Sequence, residues 1–268
     1  MYRLARQVRF SITPFFDPAS EGVNSYASRP SGEGLCLFFG LWVELAGPLN
    51  PDTGFVINVV EIDRAVRESV VPLFCEEIRR RFGQKVFMGL AEVCELLARS
   101  WRALRGRFGE AEVSKISLDL NPYRKLTILS EDCPMFLFSE KFEFAATHKL
   151  WNDRFNAEAN FDMFGKCANP AGHGHNYVLE VTVEKDRTSD PLWIADFQRA
   201  VEEKFITLVD HKNLNTDVAD FTGISSVENL ASFAWERLKG QFSNCRLHTI
   251  TVWETDKTYC SYQGPAVV

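Results

Sequence analysis

The chain has 268 residues, enough for two domains, and its 46% hydrophobic and 25% charged residues are typical of a folded globular protein. A net charge of −6, with no basic run longer than three arginines, argues against a nucleic-acid partner. We expect a cytoplasmic protein without a membrane partner, because no apolar run approaches ~20 residues, the amino terminus has no apolar signal segment, and the seven cysteines form no C-x-x-C motif.

The first half of the chain alternates strand and helix patterns. A turn at 50–54 ("NPDTG") separates two early strands from the first helix, and Pro72 is expected to break or kink that helix. The predicted elements are, in order, strands at 8–14 and 35–45, helices within 55–82 and at 92–108, and strands at 113–120 and 125–129.

The second half repeats the order strand, strand, helix, helix, strand, strand. Its second helix is expected to start with a capping box formed by Ser225 and Glu228. The predicted elements are strands at 142–148 and 175–184, helices at 196–208 and 226–240, and strands at 247–254 and 258–262.

This repeated order indicates a tandem duplication whose copies meet near "SEDCP" (130–134). We place the first domain at 1–130 and the second at 135–268; two unrelated α+β halves are the alternative. When "SGEGLCLFFGLWVEL" is laid on "AGHGHNYVLEVTVEK", the first copy lacks each chemically capable residue of the second. The replacements are Pro14 for His148, Ala27 for Cys167, Glu33 for His173, Leu35 for His175 and Leu120 for Glu254.

Three histidines of the second half continue apolar strand faces. Side chains alternate along a strand, so His148 shares the face of Phe144, while His173 and His175 share the face of Leu179. Buried imidazoles are costly unless paired, and three of them with one open position form a catalytic zinc site. The alternative is that each histidine is an ordinary hydrogen-bonded residue.

Four further polar residues accompany the histidines. Glu254 continues the apolar face of the strand at 247–254 and needs a hydrogen-bond donor if it is buried. Cys167 is either a small core residue or, beside a metal, a base or nucleophile. Asp210 and His211 form either a proton-relay pair or part of a polar turn.

Four motifs of the second half together resemble the 6-pyruvoyl-tetrahydropterin synthase family. They are "GKCANPAGHGHNY", "VDHKNLNTDV", "SSVENLASFAWERL" and "VWETDK", and the resemblance covers about residues 136–264. The first half resembles the same family weakly, chiefly in "GPLNPDTGFVINVVEID".

The resemblance implies an α+β fold of two tandem T-fold domains. Each would be a four-stranded antiparallel sheet with two helices on one face, and such domains associate into a barrel-type homo-oligomer with active sites at subunit interfaces. The implied substrate is a pterin triphosphate, 7,8-dihydroneopterin triphosphate, and Mg²⁺ would accompany its phosphates.

The family's metal site carries over to His148, His173 and His175, which would hold Zn²⁺. Cys167 would be the general base that moves carbon-bound protons of the substrate.

The family's relay and pterin contacts also have counterparts here. Asp210 and His211 would activate the thiol, by themselves or from a neighbouring chain. Glu254 would bind the 2-amino and N3 hydrogens of the pterin, with Glu228 and Ser226 close to the ring.

The spacing around the thiol distinguishes two products within the family. Five residues, Ala168 to Gly172, separate Cys167 from the HGH triplet, as in the 6-pyruvoyl type, whereas the 6-carboxy type has three. The expected activity is therefore that of a carbon–oxygen lyase that forms 6-pyruvoyl-tetrahydropterin. A 6-carboxy-tetrahydropterin synthase and a non-catalytic pterin-binding module are the alternatives.

Overall fold

The computed structural model describes residues 1–15, 36–132 and 134–265. It divides into two compact units, Met1–Phe138 with Asp186–Pro191 and Ser139–Lys185 with Leu192–Val268. Each is an α+β unit in which helices pack on an antiparallel sheet. Among the described residues, no helix combines the length and the apolar character needed to cross a membrane.

The first unit has four antiparallel strands in sequence order. They are β1 (Tyr2–Ile12), β2 (Leu37–Gly47), β3 (Glu112–Asp119) and β4 (Arg124–Ile128). β1 and β2 pair without interruption from Tyr2 opposite Gly47 to Ile12 opposite Leu37, whereas the register of β2 with β3 shifts after Glu44. The four strands predicted for this sheet are all present, although β1 begins six residues earlier than the apolar alternation in the sequence indicated.

The helices of the first unit come between β2 and β3 in the order of the chain. α1 (Val59–Ala65) continues through a π-helical turn (Val66–Val70) into α2 (Val71–Gln84), and α3 (Leu90–Leu104) follows. Pro72 does not break this helix, since α1 continues through the π-helical turn at Val66–Val70 into α2, and Pro72 lies two residues after that turn.

An aromatic cluster holds the helices of the first unit against its sheet. Phe10 of β1 and Phe74 of α2 are fully buried, and their rings meet edge to face at 5.4 Å. Phe39 of β2 completes the cluster, with its ring 5.6 Å from that of Phe74. Burial of such rings is the main stabilising contribution of a core contact.

The second unit repeats the plan with additions. Its sheet runs β5 (Met135–His148), β6 (His173–Asp186), β8 (Arg246–Thr255) and β9 (Thr258–Tyr262), and a two-residue strand, β7 (Lys212–Asn213), pairs in parallel with β5. The residues of β5 from Ser139 onward belong to the second unit. β7 is an addition to the expected four-stranded sheet. A strand of two residues is too short to show the alternation of apolar and polar side chains from which the other strands were predicted.

Contacts between phenylalanine rings join the helices of the second unit to its sheet. Phe205 meets Phe144 of β5 edge to face at 5.7 Å and contacts Phe233 at 6.1 Å. The elements are α4 (Ala157–Phe164), a 3₁₀ turn (Gly165–Ala168), α5 (Ile194–Val201), a π-helical turn (Glu202–Ile206), α6 (Thr207–Val209) and α7 (Val227–Leu238). The short helix α4 was not expected from the sequence.

The predicted capping box of α7 is wrong by one residue. Ser226, rather than Ser225, is the N-cap, and its hydroxyl accepts from the backbone N–H of Asn229. The hydroxyl of Ser225 instead donates to the backbone carbonyl of Lys149. Either of the two adjacent serines can serve as an N-cap, and the long-range contact of Ser225 leaves Ser226 in that role.

We expect Phe74→Ala to lower the free energy of unfolding by about 3–5 kcal/mol, because it leaves a cavity among buried rings. Phe87→Ala is the matched control, since Phe87 is 85% exposed in the same unit and its loss should change stability by at most about 0.5 kcal/mol. Urea unfolding followed by circular dichroism measures both. Equal effects of the two variants would contradict the assigned core.

Candidate functional site

Three histidines meet where β5 ends and β6 begins. His148 is the last residue of β5, and His173 and His175 occupy the first and third positions of β6. The alternation predicted from the sequence is confirmed, since Phe144, Ala146 and His148 are all buried. The imidazoles therefore extend an apolar core face, as expected.

The distances between the three rings are compatible with one shared metal ion. The three nitrogens that could act as ligands all lie within 4.8 Å of one another. His148 Nε2 and His173 Nε2 are 3.1 Å apart. Two nitrogens bound about 2.0–2.1 Å from a tetrahedral zinc would lie about 3.3 Å apart, so this pair needs little adjustment.

His148 is oriented by a backbone carbonyl. Its Nδ1 lies 2.7 Å from the carbonyl oxygen of Ser225, which can only accept, so Nδ1 carries the proton and Nε2 presents a lone pair toward the other rings. Burial lowers the pKa of His148, and the hydrogen bond to Ser225 only partly opposes this effect. A neutral ring with a free Nε2 lone pair is the form that binds a metal.

The other two histidines each have a buried nitrogen without a partner. Within the described part of the chain, Nδ1 of His173 and Nε2 of His175 accept or donate no hydrogen bond. Burial also lowers the pKa of His175, whereas the nearby carboxylate of Glu254 acts in the opposite direction. Unpartnered buried nitrogens argue against three ordinary hydrogen-bonded histidines, and the donor set fits zinc.

Two glycines allow the histidine loop to approach β5. A Cβ on Gly172 would lie 2.9 Å from the backbone oxygen of His148, and its φ of +71° favours glycine independently. A Cβ on Gly174 would lie 3.3 Å from the side chain of Thr147. These glycines therefore let β6 start close enough to β5 for the imidazoles to meet.

Glu254 lies next to the histidines, as its strand position predicted. Its Oε1 is 3.5 Å from Nε2 of His148 and 3.7 Å from Nε2 of His175. The side chain is 22% exposed, so one edge of the carboxylate remains accessible. The site thus combines three imidazoles with one partly accessible carboxyl group.

Cys167 lies in the 3₁₀ turn that follows α4. Its backbone carbonyl accepts from the N–H of Leu150, two residues beyond His148, which ties the turn to the end of β5. The thiol is half-buried and forms no disulfide. This arrangement places Cys167 close to the cluster.

Tyr177 is a site residue that the sequence analysis missed. It is buried, its ring centroid lies 5.5 Å from that of His175, and its hydroxyl has no hydrogen-bond partner among the described residues. Burial raises the pKa of Tyr177, and the nearby Glu254 and Cys167 raise it further. Its position two residues after His175, on the same strand face, was the available signal.

Asp210 and His211 form a pair, but the described residues show no hydrogen bond between this pair and Cys167. Asp210 Oδ2 lies 2.9 Å from Nδ1 of His211, and Oδ1 accepts from the N–H of Ala145. That backbone hydrogen bond is the main cause that lowers the pKa of Asp210. The side chain of His211 is 82% exposed, so the pair faces outward from the middle of β5.

Ser226 and Glu228 lie at the start of α7. Ser226 directly follows the residue whose carbonyl meets His148, so it is close to the cluster. Glu228 is exposed on the first turn, where its charge raises the pKa of the Cys260 thiol after the larger effect of burial.

Among the described residues, the only cluster of histidine, cysteine and acidic side chains arranged for a metal is this one in the second unit. Ala27, Glu33 and Leu35 of the first copy lie outside the described residues. Pro14 and Leu120, which replace His148 and Glu254 in the sequence alignment, have no metal-binding side chain.

The fold and site define an α+β protein whose second unit carries a three-histidine metal site. A family model described as 6-pyruvoyl tetrahydropterin synthase matches residues 138–265. A human 6-pyruvoyl tetrahydrobiopterin synthase is 37% identical over 130 residues, covering 47% of this chain and 90% of that protein. The chain therefore belongs to the 6-pyruvoyl tetrahydropterin synthase family, through its second half.

Two further matches each cover about half of this chain. A 6-carboxy-5,6,7,8-tetrahydropterin synthase of Aquifex aeolicus is 29% identical over 157 residues, covering 47% of this chain and 96% of that protein. The solved structure of Caenorhabditis elegans 6-pyruvoyl tetrahydropterin synthase is 33% identical with a TM-score of 0.46, covering 49% of this chain and 97% of that chain.

We expect Gly172→Ala to destabilise the protein more than Gly240→Ala. Both glycines have a φ of +71°, which costs about 1–2 kcal/mol for a residue with a Cβ. Only at Gly172 does the new methyl group meet backbone, at 2.9 Å, and relief of that overlap should cost about 1–3 kcal/mol more. Denaturant unfolding measures the difference, and equal losses would show that the approach to His148 is not tight.

Proposed function

We propose that the second unit is a zinc-dependent lyase that converts 7,8-dihydroneopterin triphosphate to 6-pyruvoyl-tetrahydropterin and eliminates triphosphate. The observation that carries this proposal is the convergence of His148, His173 and His175 beside Glu254 in a chain of this family. The elimination needs acid–base chemistry and no redox cofactor.

In this proposal the three histidines hold zinc through ring nitrogens, and the carbonyl of Ser225 fixes the ring of His148. Zinc bound there would act as a Lewis acid toward the side-chain hydroxyls of the substrate and acidify the adjacent carbon-bound protons. The partly exposed Glu254 leaves one side of the cluster accessible to a ligand.

Cys167 is the base that accepts and returns those protons at its Sγ. Asp210 holds the protonated Nδ1 of His211, so Nε2 of His211 is free to exchange a proton with a thiol. Because this imidazole faces outward from β5, we infer that it serves Cys167 of a neighbouring chain. The proposal therefore includes a homo-oligomer of the barrel type.

Glu254 is proposed to bind the pterin ring. Its carboxylate has no lysine or arginine partner in the described part of the chain, and it lies beside the histidines. It would accept from the 2-amino group and N3 of the pterin as a bidentate pair, which is among the stronger hydrogen-bonding arrangements. Ser226 and Glu228 would contact the same ring from the start of α7.

The choice of product rests on two observations. Five residues separate Cys167 from His173, and the human 6-pyruvoyl tetrahydrobiopterin synthase is 37% identical to this chain, against 29% for the 6-carboxy enzyme of Aquifex aeolicus. A 6-carboxy product, formed at the same site with release of acetaldehyde, is the close alternative.

The first unit is proposed to be a structural copy, with domain limits at 1–130 and 135–268. It retains the strand and helix order of the second unit, while its aligned positions carry no histidine. A non-catalytic pterin-binding protein is the other alternative. The retained Cys167, Asp210 and His211 argue against it, because a binding protein needs none of them.

We expect purified protein with zinc to release triphosphate from 7,8-dihydroneopterin triphosphate, and mass spectrometry to identify the 6-pyruvoyl product. Cys167→Ala should lower the rate by about 10²–10⁴-fold, the range of general acid–base catalysis, while keeping the metal. Cys245→Ala is the matched control, because Cys245 is also half-buried in the second unit. Substrate binding without turnover in the wild type would favour the binding protein, and acetaldehyde release would favour the 6-carboxy enzyme.

We also expect about one zinc per chain, because the described residues contain one three-histidine cluster. His173→Ala should lose the metal, whereas His248→Ala, which alters a histidine bonded to Thr249, should keep it. Metal analysis after dialysis measures both. Two zinc ions per chain would contradict a first unit without a metal site.

A further inference from the structure

We infer that Asn215 and Ser225 form a clamp that positions His148 for metal binding. Neither residue offers a ligand to the metal; both act through the backbone on either side of the His148 ring. This inference rests on the proposed zinc site and adds positioning residues to it.

Asn215 forms two hydrogen bonds with the backbone of Lys149, the residue that follows His148. Its Oδ1 accepts from the N–H of Lys149 at 2.7 Å, and its Nδ2 donates to the carbonyl of Lys149 at 3.0 Å. One amide side chain thus satisfies both backbone groups of Lys149, as a strand partner would. The end of β5 is thereby held although no strand pairs with Lys149 in the described sheet.

Ser225 connects the same point to the acceptor of the His148 ring. Its hydroxyl donates to the carbonyl of Lys149 at 3.1 Å and accepts from Nδ2 of Asn215 at 3.2 Å. The residue is 1% exposed, and its own carbonyl lies 2.7 Å from Nδ1 of His148. The hydrogen bond that orients the ring is therefore fixed at both ends by one network.

A network of this kind affects metal affinity through orientation. Outer partners of a metal-binding histidine set its tautomer and ring angle, and their loss typically costs about 10–100-fold in metal affinity. Without Asn215, Lys149 and Ser225 can move apart, and the ring of His148 is free to turn. Because Asn215 acts through two backbone segments, we expect the lower end of that range.

The test measures zinc affinity of the full chain by competition with a chromophoric chelator. Asn215→Ala should weaken zinc binding by about tenfold, and Ser225→Ala should do the same. The double variant should lose much less than the hundredfold product, because both side chains act on the carbonyl of Lys149. Asn215→Asp, which puts a carboxylate oxygen against the carbonyl of Lys149 in place of the amide donor, should weaken zinc binding at least as much as Asn215→Ala.

Asn121→Ala is the matched control. Asn121 also braces a loop through its amide oxygen, which accepts from the N–H groups of Tyr123 and Arg124, but it belongs to the first unit. Its loss should leave zinc affinity unchanged. Visible absorption of Co²⁺ bound in place of zinc gives a second readout, which should change in Asn215→Ala and not in the control.

The outcomes separate the two proposals. A wild type that binds zinc together with an Asn215→Ala variant of equal affinity and an identical Co²⁺ spectrum overturns the clamp and leaves the lyase intact. Fully multiplicative losses in the double variant also overturn a single clamp. A wild type that binds no zinc overturns the metal site and the clamp together.

Discussion

The imidazoles of His148, His173 and His175 lie on strand faces that are otherwise apolar. The surrounding structure supplies a hydrogen-bond acceptor to His148 and leaves one nitrogen of each of the other two without a partner among the described residues. A buried ring nitrogen without a hydrogen-bond or metal partner costs free energy, so the residues around the cluster must either supply a partner or leave room for one. Ser225 supplies a carbonyl to His148, and Gly172 lets the following strand begin within contact distance of it. The two nitrogens left without partners within the described residues are the strongest physical indication of a metal.

Both units have an antiparallel sheet packed by helices, but among the described residues only the second has the three-histidine cluster. In the first, the sheet face that meets the helices is filled by rings such as Phe10, Phe39 and Phe74. In the second, Phe144 and Phe205 fill the corresponding layer, but the face continues into His148. The first unit thus has the same packing of helices on an antiparallel sheet without a three-histidine cluster among its described residues.

The exposed pair Asp210–His211 of the second unit is the reason that a homo-oligomer is part of the proposed function. His211 has a φ of +55°, and its N–H donates to Ala145 at 2.6 Å, which holds the residue firmly while its ring faces solvent. A rigidly placed, exposed acid–imidazole pair is suited to a partner's site rather than to its own. The same backbone contacts create the short parallel strand β7 beside β5.

The sequence by itself determined the alternation of strand faces, the three histidines and Glu254 on them, and the order of the longer elements in both halves, without α4 and β7. These follow from a period of two residues and from local composition, which are visible in any single segment. Only the tertiary structure decided that the carbonyl of Ser225 meets His148 and that Asn215 reaches Lys149. Each of these is a contact between residues distant in the chain, and no local pattern encodes which distant partner a polar group meets.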